Sequence, residues 1–145
     1  MKVIGRKDRI DLPELGLYNI ESKIDTGAYG CALHCHHIDI LKTHEGQILS
    51  FKVLDPSHPE YADKIFTAKN FNEKVVKNSS GQVERRFTIQ TEMILFNTSN
   101  VIEFSLTDRK EMKYPVLLGR KFLSKRFIVD VGRKDVSYHL KLNNQ

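Results

Sequence analysis

The sequence predicts an all-β fold, a barrel or sandwich of short strands with one brief helix. Most apolar segments alternate with polar residues at a period of two, as Ile102, Phe104 and Leu106 do, and this pattern is typical of strands with one buried face. Polar clusters containing Gly or Pro separate these segments, as turns do. Residues 120–126 have the composition of one or two helical turns. Eight or more short strands with so little helix favour a barrel or a sandwich.

The strands are predicted in chain order from this alternation. A short strand at residues 3–4 is followed by a turn at 12–16, and Tyr18, Ile20 and Ile24 are then expected to share the buried face of one strand. Further strands are predicted at residues 32–40, 48–54, 74–77, 83–91, 93–95, 102–106, 114–118, 127–131 and, at the end of the chain, 136–142. The elements are therefore mostly strands from end to end.

Two connections are distinctive. Residues 55–70 contain Pro56 and Pro59 and show no clear period, which predicts an irregular loop or a surface insertion. Because long structureless loops are uncommon in compact domains, Tyr61 and Phe66 are expected to hold this loop against the body. The polar sequence 78–81, Asn-Ser-Ser-Gly, lies between two strand segments and predicts the tip of a projecting hairpin.

Length and composition are typical of one intracellular domain spanning residues 1–145. A chain of 145 residues can bury a core without disulfides or metal ions. No apolar run approaches the roughly 18 residues of a membrane span, and the first residues lack the apolar segment of a secretory signal. Cys31 and Cys35 suit free thiols in a reducing compartment. We therefore expect a cytoplasmic protein with no membrane partner.

The charge favours acidic partners. The formal net charge is +5, and a positive field attracts nucleic acids and acidic peptides alike. Lys and Arg are spread along the chain rather than gathered in a basic tract, which argues against a nucleic-acid arm. An acidic peptide or protein is therefore favoured over a nucleic acid as the partner.

The candidate functional site is the segment Lys23-Ile24-Asp25-Thr26-Gly27-Ala28. Asp25 stands where a predicted buried strand ends, with a hydroxyl residue and a glycine directly after it, so its carboxylate is expected to be held in a defined pose. Turns also favour Asp, because its side chain bonds to nearby backbone. A structural turn is therefore the alternative for this tetrapeptide taken alone.

The tetrapeptide at Asp25 and the downstream sequence Val-Leu-Leu-Gly-Arg-Lys-Phe-Leu at residues 116–123 resemble the two hallmarks of retropepsin-like aspartic peptidases. The resemblance implies the closed β-barrel of the acid protease fold with one short helix. It also implies that Asp25 is the catalytic carboxylate in a loop with Thr26 and Gly27, and that a hairpin flap lies between the two motifs. The predicted tip at 78–81 falls in the matching order.

Six motifs extend this resemblance over roughly residues 4–133, nearly the whole chain. They are Leu12 to Leu17, Lys23 to Ala28, Ala32-Leu33-His34, Glu84-Arg85-Arg86, Leu106-Thr107-Asp108-Arg109 and Leu118-Gly119-Arg120. In this order they resemble the bacterial family labelled ATP-dependent zinc protease, a small retropepsin-like group. Members often accompany ATP-grasp ligases that add glutamate to proteins or peptides, which implies a peptidase acting on acidic, glutamate-rich peptides or tails.

One position departs from that family. Relatives commonly place Arg-Thr after Asp-Thr-Gly-Ala, whereas this chain has Tyr29-Gly30. A contact of that arginine with an acidic substrate is therefore not carried over to this chain.

Aspartic peptidase chemistry needs two carboxylates that share one proton. One activates a water molecule while the protonated one hydrogen-bonds the scissile carbonyl, and like charges about 3 Å apart cannot both ionise cheaply. The chain has a single Asp-Thr-Gly, so either two chains form a homodimer in which each contributes Asp25, or the mechanism differs. Thr26 would orient the loop through its hydroxyl, and Gly27 would let the backbone approach closely.

The cysteines and histidines between residues 31 and 37 are candidate metal ligands. In a strand Cys31, Cys35 and His37 face one way and His34 and His36 the other. One strand cannot wrap four tetrahedral ligands around an ion, and no second pair with metal spacing occurs elsewhere. We therefore predict no metal and no cofactor, with buried thiols and surface histidines.

Five residues are candidates for binding substrate: Ala28, His34, Arg85, Arg86 and Arg120. His34 matches a family position close behind the loop, and a structural histidine bonded to backbone is its alternative. Guanidinium groups bind carboxylates bidentately. Neighbouring Arg85 and Arg86 face opposite sides of a strand, so at most one lines the cleft. Arg120 can instead brace a dimer or pair with Asp130.

Three functions remain open from the sequence. The first is a retropepsin-type peptidase that hydrolyses acidic peptides. The second is a binding module on the same fold that holds an acidic tail without cutting it. The third is a zinc-dependent peptidase that uses His34 and Cys35.

Overall fold

Strands account for most of the chain. The computed structural model describes residues 1–77, 80–108 and 113–144. The elements are β1 (Lys2–Ile4), β2 (Lys7–Leu12), a 3-10 helix (Pro13–Leu15), β3 (Leu17–Ile24), β4 (Cys31–Thr43), β5 (Gly46–Val53), β6 (Phe66–Ala68), β7 (Asn72–Lys77), β8 (Val83–Leu95), β9 (Thr98–Thr107), β10 (Val116–Leu118), α1 (Arg120–Leu123), β11 (Phe127–Val129) and α2 (Val136–Asn143).

Six strands close into a barrel, which confirms the predicted fold class. Their order is β10-β3-β2-β8-β9-β4, and β4 pairs back with β10. β10 runs parallel to β3 and antiparallel to β4, so it separates two strands that are consecutive in sequence. The connection between those two strands, residues 25–30, must therefore pass the end of β10. This connection carries the Asp-Thr-Gly sequence.

The core lies inside the barrel and is built from alternate residues of its strands. Ile102, Phe104 and Leu106 of β9 are buried, as are Ile10 and Leu12 of β2. Burial of apolar surface at about 25 cal/mol per Å² is the main favourable contribution to such a fold. The period of two therefore reports the inner face of the barrel correctly.

Other elements extend this barrel. β5 pairs with β4 from Cys35 to Thr43, β6 pairs with β5, and β7 pairs with β8 as the predicted hairpin. Part of its predicted tip, residues 78–79, lies outside the described residues. The 55–70 connection is held as expected, because Phe66 stacks on Phe51 with ring centroids 6.0 Å apart and Tyr61 lies 5.7 Å from the His36 ring.

The final predicted strand is wrong, since residues 136–143 form the helix α2. The buried Asp8 carboxylate accepts the backbone N–H groups of Ser137 and Tyr138, which satisfies donors at the first turn that an isolated helix leaves unpaired. This long-range cap outweighs the local alternation of apolar residues. None of the described helices is long and apolar enough to cross a membrane.

Two further differences concern β2 and β3. Residues 7–12 form a strand that was not predicted, and a charged residue, Asp8, occupies a buried position in it. In β3, Tyr18 is 51% exposed rather than buried with Ile20 and Ile24. Asn19 has a φ of 55°, and this left-handed residue interrupts the alternation at the start of the strand.

Candidate active site

Asp25 follows the last residue of β3 and is tied to the neighbouring strand. Its backbone N–H donates to the Leu118 carbonyl of β10 at 2.9 Å. Its Oδ1 accepts the Gly27 N–H at 3.0 Å, and its carbonyl accepts the Ala28 N–H at 3.3 Å. Among the described residues Oδ2 accepts no hydrogen bond. One carboxylate oxygen therefore fixes the turn, and the second is free to act on a bound molecule.

Gly119 lets the downstream segment approach this loop closely. A Cβ at this position would lie 2.2 Å from the Gly30 carbonyl oxygen and 2.6 Å from that of Tyr29, distances that no side chain allows. The first N–H groups of α1 then donate to the loop, from Arg120 to the Ala28 carbonyl at 2.9 Å and from Lys121 to the Tyr29 carbonyl at 2.8 Å. The two sequence motifs are thus one packed unit.

The Arg120 side chain braces the same loop. Its Nη1 donates to the Thr26 carbonyl at 3.0 Å, and its guanidinium carbon lies 5.9 Å from the centre of the Tyr29 ring. The alternative pairing with Asp130 is wrong, because Asp130 pairs with Arg133 at 3.2 Å. A contact between Arg120 and substrate remains a prediction.

The remaining loop residues present mostly backbone and small side chains. Thr26 and Gly27 are exposed, and Ala28 is half-buried. The bond described for Thr26 uses its carbonyl rather than the hydroxyl that was predicted to orient the loop. Tyr29 is 63% exposed and stands beside this turn, although the sequence marked it only as a departure from the family pattern.

His34 is buried and has a structural environment. Its Nε2 lies 2.6 Å from Asp55 Oδ2, and its Nδ1 lies 3.3 Å from the Thr107 carbonyl. Both partners are acceptors, so the ring contacts hold His34 between two backbone segments. The pair joins β4 to β9 and to the loop after β5. The alternative of a structural histidine therefore fits the geometry better than a substrate contact.

Asp55 is an unusually stabilised carboxylate. Ser57 donates both its hydroxyl and its backbone N–H to Oδ1, and together with His34 these bonds lower the pKa of Asp55 to about 2. A carboxylate that accepts several hydrogen bonds is held in its ionised form. The negative charge of Asp55 is thus used to fix the 55–57 turn against β4.

The cysteines and histidines of β4 do not converge on one point. Cys31 and Cys35 are buried as predicted, and burial raises the pKa of both thiols. The prediction of surface histidines is wrong for His34 and His36, because the chain after β5 covers that face of β4. His36 donates its Nδ1–H to the Leu54 carbonyl, and His37 is exposed with a φ of 51°.

A zinc ion does not fit these residues. His34 points to Asp55 and Thr107, whereas Cys35 lies in the core on the other face of the strand. Within residues 1–77, 80–108 and 113–144, no three or more His, Cys, Asp or Glu side chains are grouped as metal ligands. A zinc-dependent reaction at His34 and Cys35 therefore has no geometric basis.

Arg85 and Arg86 lie on the β7–β8 hairpin and pair within it. Arg85 bonds Glu73 across the hairpin, and its guanidinium lies 5.5 Å from the Phe87 ring. Arg86 bonds Glu84 at 3.3 Å. In the described part of the chain neither guanidinium is bonded to the Asp25 loop. Their proposed role toward substrate remains a prediction.

Comparisons with known proteins agree with this arrangement. The sequence model of the RimB-like family, described as retropepsin-like aspartic endopeptidase RimB, matches residues 3–139. A crystal structure of a Legionella pneumophila protein of unknown function shares the fold, with a TM-score of 0.73 over 94% of this chain and 98% of that one at 24% identity.

The curated relatives are named as ligases rather than as peptidases. A probable alpha-L-glutamate ligase of Parasynechococcus marenigrum (strain WH8102) is 33% identical over 132 residues, which is 88% of this chain and 28% of the relative. One of Desulfotalea psychrophila is 32% identical over 133 residues, with 89% and 28% covered. The chain thus spans little more than a quarter of the length of these curated relatives.

Proposed function

Because this chain belongs to the RimB-like family of retropepsin-like aspartic endopeptidases, we propose that it is a peptidase with Asp25 as its catalytic carboxylate. Its proposed substrates are acidic peptides or tails that contain glutamate. The observation that carries the proposal is the state of the Asp25 side chain. Oδ1 is fixed by the Gly27 N–H, and Oδ2 accepts no bond from the described residues. A catalytic carboxylate needs such an available oxygen to act on its substrate.

The second carboxylate is proposed to come from a second copy of the chain. The sequence holds one Asp-Thr-Gly, and a homodimer would bring two Asp25 side chains to one site. Two carboxyl groups about 3 Å apart share a single proton, because both cannot ionise cheaply. One member of the pair is then a base and the other an acid.

Hydrolysis then proceeds with two proton transfers. The ionised carboxylate takes a proton from water, whose oxygen bonds to the scissile carbonyl carbon, while the protonated carboxyl hydrogen-bonds the carbonyl oxygen. The amide nitrogen of the tetrahedral intermediate accepts a proton from the pair, and the carbon–nitrogen bond breaks. Gly27, Thr26 and Gly119 keep the carboxylates in place for both transfers.

Two observations support an acidic substrate. The formal net charge of +5 attracts anionic peptides. The curated relatives are named probable alpha-L-glutamate ligases, which supports a substrate made of glutamate for the segment that this chain matches. Arg120 has N–H groups beyond the one that bonds Thr26, and these can bind a substrate carboxylate beside Ala28.

A non-catalytic binding module is the second candidate. The single Asp-Thr-Gly of each chain favours it, because a chain that stays monomeric would hold an acidic tail next to one carboxylate and could not complete the acid–base pair.

The test replaces Asp25 and compares it with a matched aspartate. Asp130 bonds the N–H of Gly132 through Oδ1 at 2.9 Å, the same turn that Asp25 forms with Gly27. We expect Asp25→Asn to lower hydrolysis of an oligoglutamate peptide by about 1,000-fold and Asp130→Asn to change it by less than about threefold. Products are followed by mass spectrometry.

Two outcomes would contradict this proposal. Undiminished hydrolysis by Asp25→Asn would exclude Asp25 as the catalytic group. A wild-type protein that binds oligoglutamate but yields no product after prolonged incubation would be a binding module. Sedimentation under assay conditions completes the test, since full activity in a monomer would exclude a shared Asp25 pair.

A further inference from the structure

A cavity lies at a distance from the Asp25 loop. Its volume is about 540 Å³, and α2, β1, β2 and the turn between β8 and β9 enclose it. Asp11 lines the cavity and accepts the backbone N–H of Asn19 at 2.8 Å. Asn19 lies in β3, six residues before Asp25, which directly follows that strand. At about 3.3 Å per residue, this part of the cavity lies about 20 Å from Asp25.

The rim of the cavity is positively charged. Lys2, Arg9 and Lys141 line it together with a single carboxylate, Asp11. Lys141 pairs with Asp11 at 3.1 Å and Arg9 with Glu21 at 3.3 Å, which leaves Lys2 as the cation of the lining that pairs with none of the described carboxylates. An excess of cations inside a concave surface attracts anions.

Aromatic faces hold these two cations in place. The Lys2 Nζ lies 5.0 Å from the centre of the Phe96 ring, and the Arg9 guanidinium lies 4.3 Å from that of Tyr138. Arg9 also lies 3.3 Å from Glu21, which Lys7 approaches at 3.1 Å. A cation over a ring keeps N–H donors for a further partner. Lys2 and Arg9 are thus positioned to bind an anion.

Apolar groups form the remaining wall. Leu95 is the last residue of β8 and Phe96 follows it in the turn, and Leu140 of α2 is 48% exposed at the mouth. An apolar wall beside a cationic rim suits a ligand with a short methylene stem and a carboxylate head, which is the form of a glutamate side chain. The volume lies within the roughly 300–1,000 Å³ of typical ligand sites.

We propose that this cavity is a second binding site, for glutamate-rich peptide segments, separate from the Asp25 loop. The carboxylates of the peptide pair with Lys2 and Arg9, and its methylene groups pack on Leu95, Phe96 and Leu140. The site does not depend on cleavage. In a peptidase it would hold one part of a long acidic tail while another part reaches Asp25.

The binding test uses the full chain with Asp25→Asn, so that no peptide is cut. Leu140 and Leu142 are both leucines of α2, 48% and 45% exposed, but Leu140 lines the cavity and Leu142 does not. By calorimetry with tetraglutamate we expect Leu140→Asp to weaken binding at least tenfold and Leu142→Asp to change it less than twofold. Lys2→Glu and Lys42→Glu form a second matched pair with the same expected contrast, because both lysines are exposed strand residues but Lys42, in β4, does not line the cavity.

Three results would overturn the second site. Equal weakening by Leu140→Asp and Leu142→Asp would indicate general charge repulsion. Tetraglutamine binding as tightly as tetraglutamate would remove the role of the carboxylates. Amide NMR shifts confined to Gly27 and Ala28, with none at Phe96, Asn97 or Ser137, would place the ligand at the Asp25 loop alone. These binding results do not depend on whether the protein cleaves peptides, so they test the second site separately from the proposed peptidase activity.

Discussion

Asp8 and Asp25 are two aspartates with opposite environments. Asp8 in β2 is 0% exposed, and its carboxylate accepts the N–H groups of Arg9, Ser137 and Tyr138 at 2.9, 2.9 and 3.2 Å. Asp25 after β3 is only half-buried, and its carboxylate accepts the single N–H of Gly27. Both carboxylates order a segment of backbone, but only Asp25 keeps an oxygen for another molecule.

Asp8 is therefore a structural carboxylate, whereas Asp25 has an oxygen available to a ligand. Burial raises the pKa of Asp8, while its three backbone bonds oppose that rise, so the fold tolerates the buried carboxyl group because its acceptors are used. These bonds attach α2 to the barrel. The Asp25 loop instead depends on the close packing of Gly119 and leaves the side chain toward solvent. Breaking each region should therefore have different consequences.

The largest effect is expected from Gly119→Ala. The new Cβ would lie 2.2, 2.6 and 2.8 Å from the carbonyl oxygens of Gly30, Tyr29 and Ala28, and backbone cannot move aside cheaply. We expect a loss of about 3 kcal/mol in the free energy of unfolding. Because a shift of about 1 Å can cost a hundredfold in rate, hydrolysis by the folded protein should fall at least that far. Urea unfolding and peptide hydrolysis measure the two effects.

Gly30→Ala is the matched control. A Cβ at Gly30 has no neighbour within 4 Å, and the residue is not among those with positive φ. We expect a change in stability below about 0.5 kcal/mol. Equal effects of the two substitutions would show that the loop needs flexibility at glycine rather than close approach at Gly119.

Asp8→Ala is expected to have the next largest effect. It removes the acceptor of three backbone N–H groups, two of them at the start of α2, and should cost about 2–3 kcal/mol in the free energy of unfolding. Activity per folded molecule should stay within about threefold. Asp25→Asn is the opposite case, with activity lost and stability retained. A stable Asp8→Ala protein with α2 intact by hydrogen exchange would contradict the role assigned to the cap.

The smallest effect is expected in the pH dependence of the free energy of unfolding. The pKa of Asp55 is lowered to about 2 by Ser57 and His34, so Asp55 stabilises the fold fully above its unfolded pKa near 4 and loses this contribution as pH falls through 2. We expect about 1–2 kcal/mol of acid-dependent stability that Asp55→Asn lacks. Asp8 acts in the opposite sense, since its raised pKa favours folding below the unfolded pKa and the benefit is lost as pH rises through the folded pKa.

Urea midpoints measured from pH 6 to pH 2 test this prediction. The wild-type curve should fall more steeply below pH 4 than that of Asp55→Asn, and the two curves should converge in acid. Parallel curves throughout would show that the ionised Asp55 carboxylate contributes no pH-dependent stability.

Several features could be predicted from sequence because their signals are local. Alternation of apolar residues indicates which side of a strand is buried, and it placed Ile102, Phe104 and Leu106 of β9 correctly. The Asp25 tetrapeptide and the sequence around Gly119 are paired by their resemblance to the two hallmarks of retropepsin-like peptidases. The structure shows why they occur together, since backbone bonds join them directly.

Other features depend on residues distant in the chain. Residues 136–142 alternate like a strand, but Asp8, 129 positions before Ser137, caps them as the helix α2. His34 and Asp55 meet only after β4 and β5 pair, and Lys2 and the distant Phe96 lie together at the cavity. The sequence by itself determined most of the strands and predicted the Asp25 loop as the candidate site. The tertiary structure decided capping, burial and the cavity beside α2, because these depend on which distant groups meet.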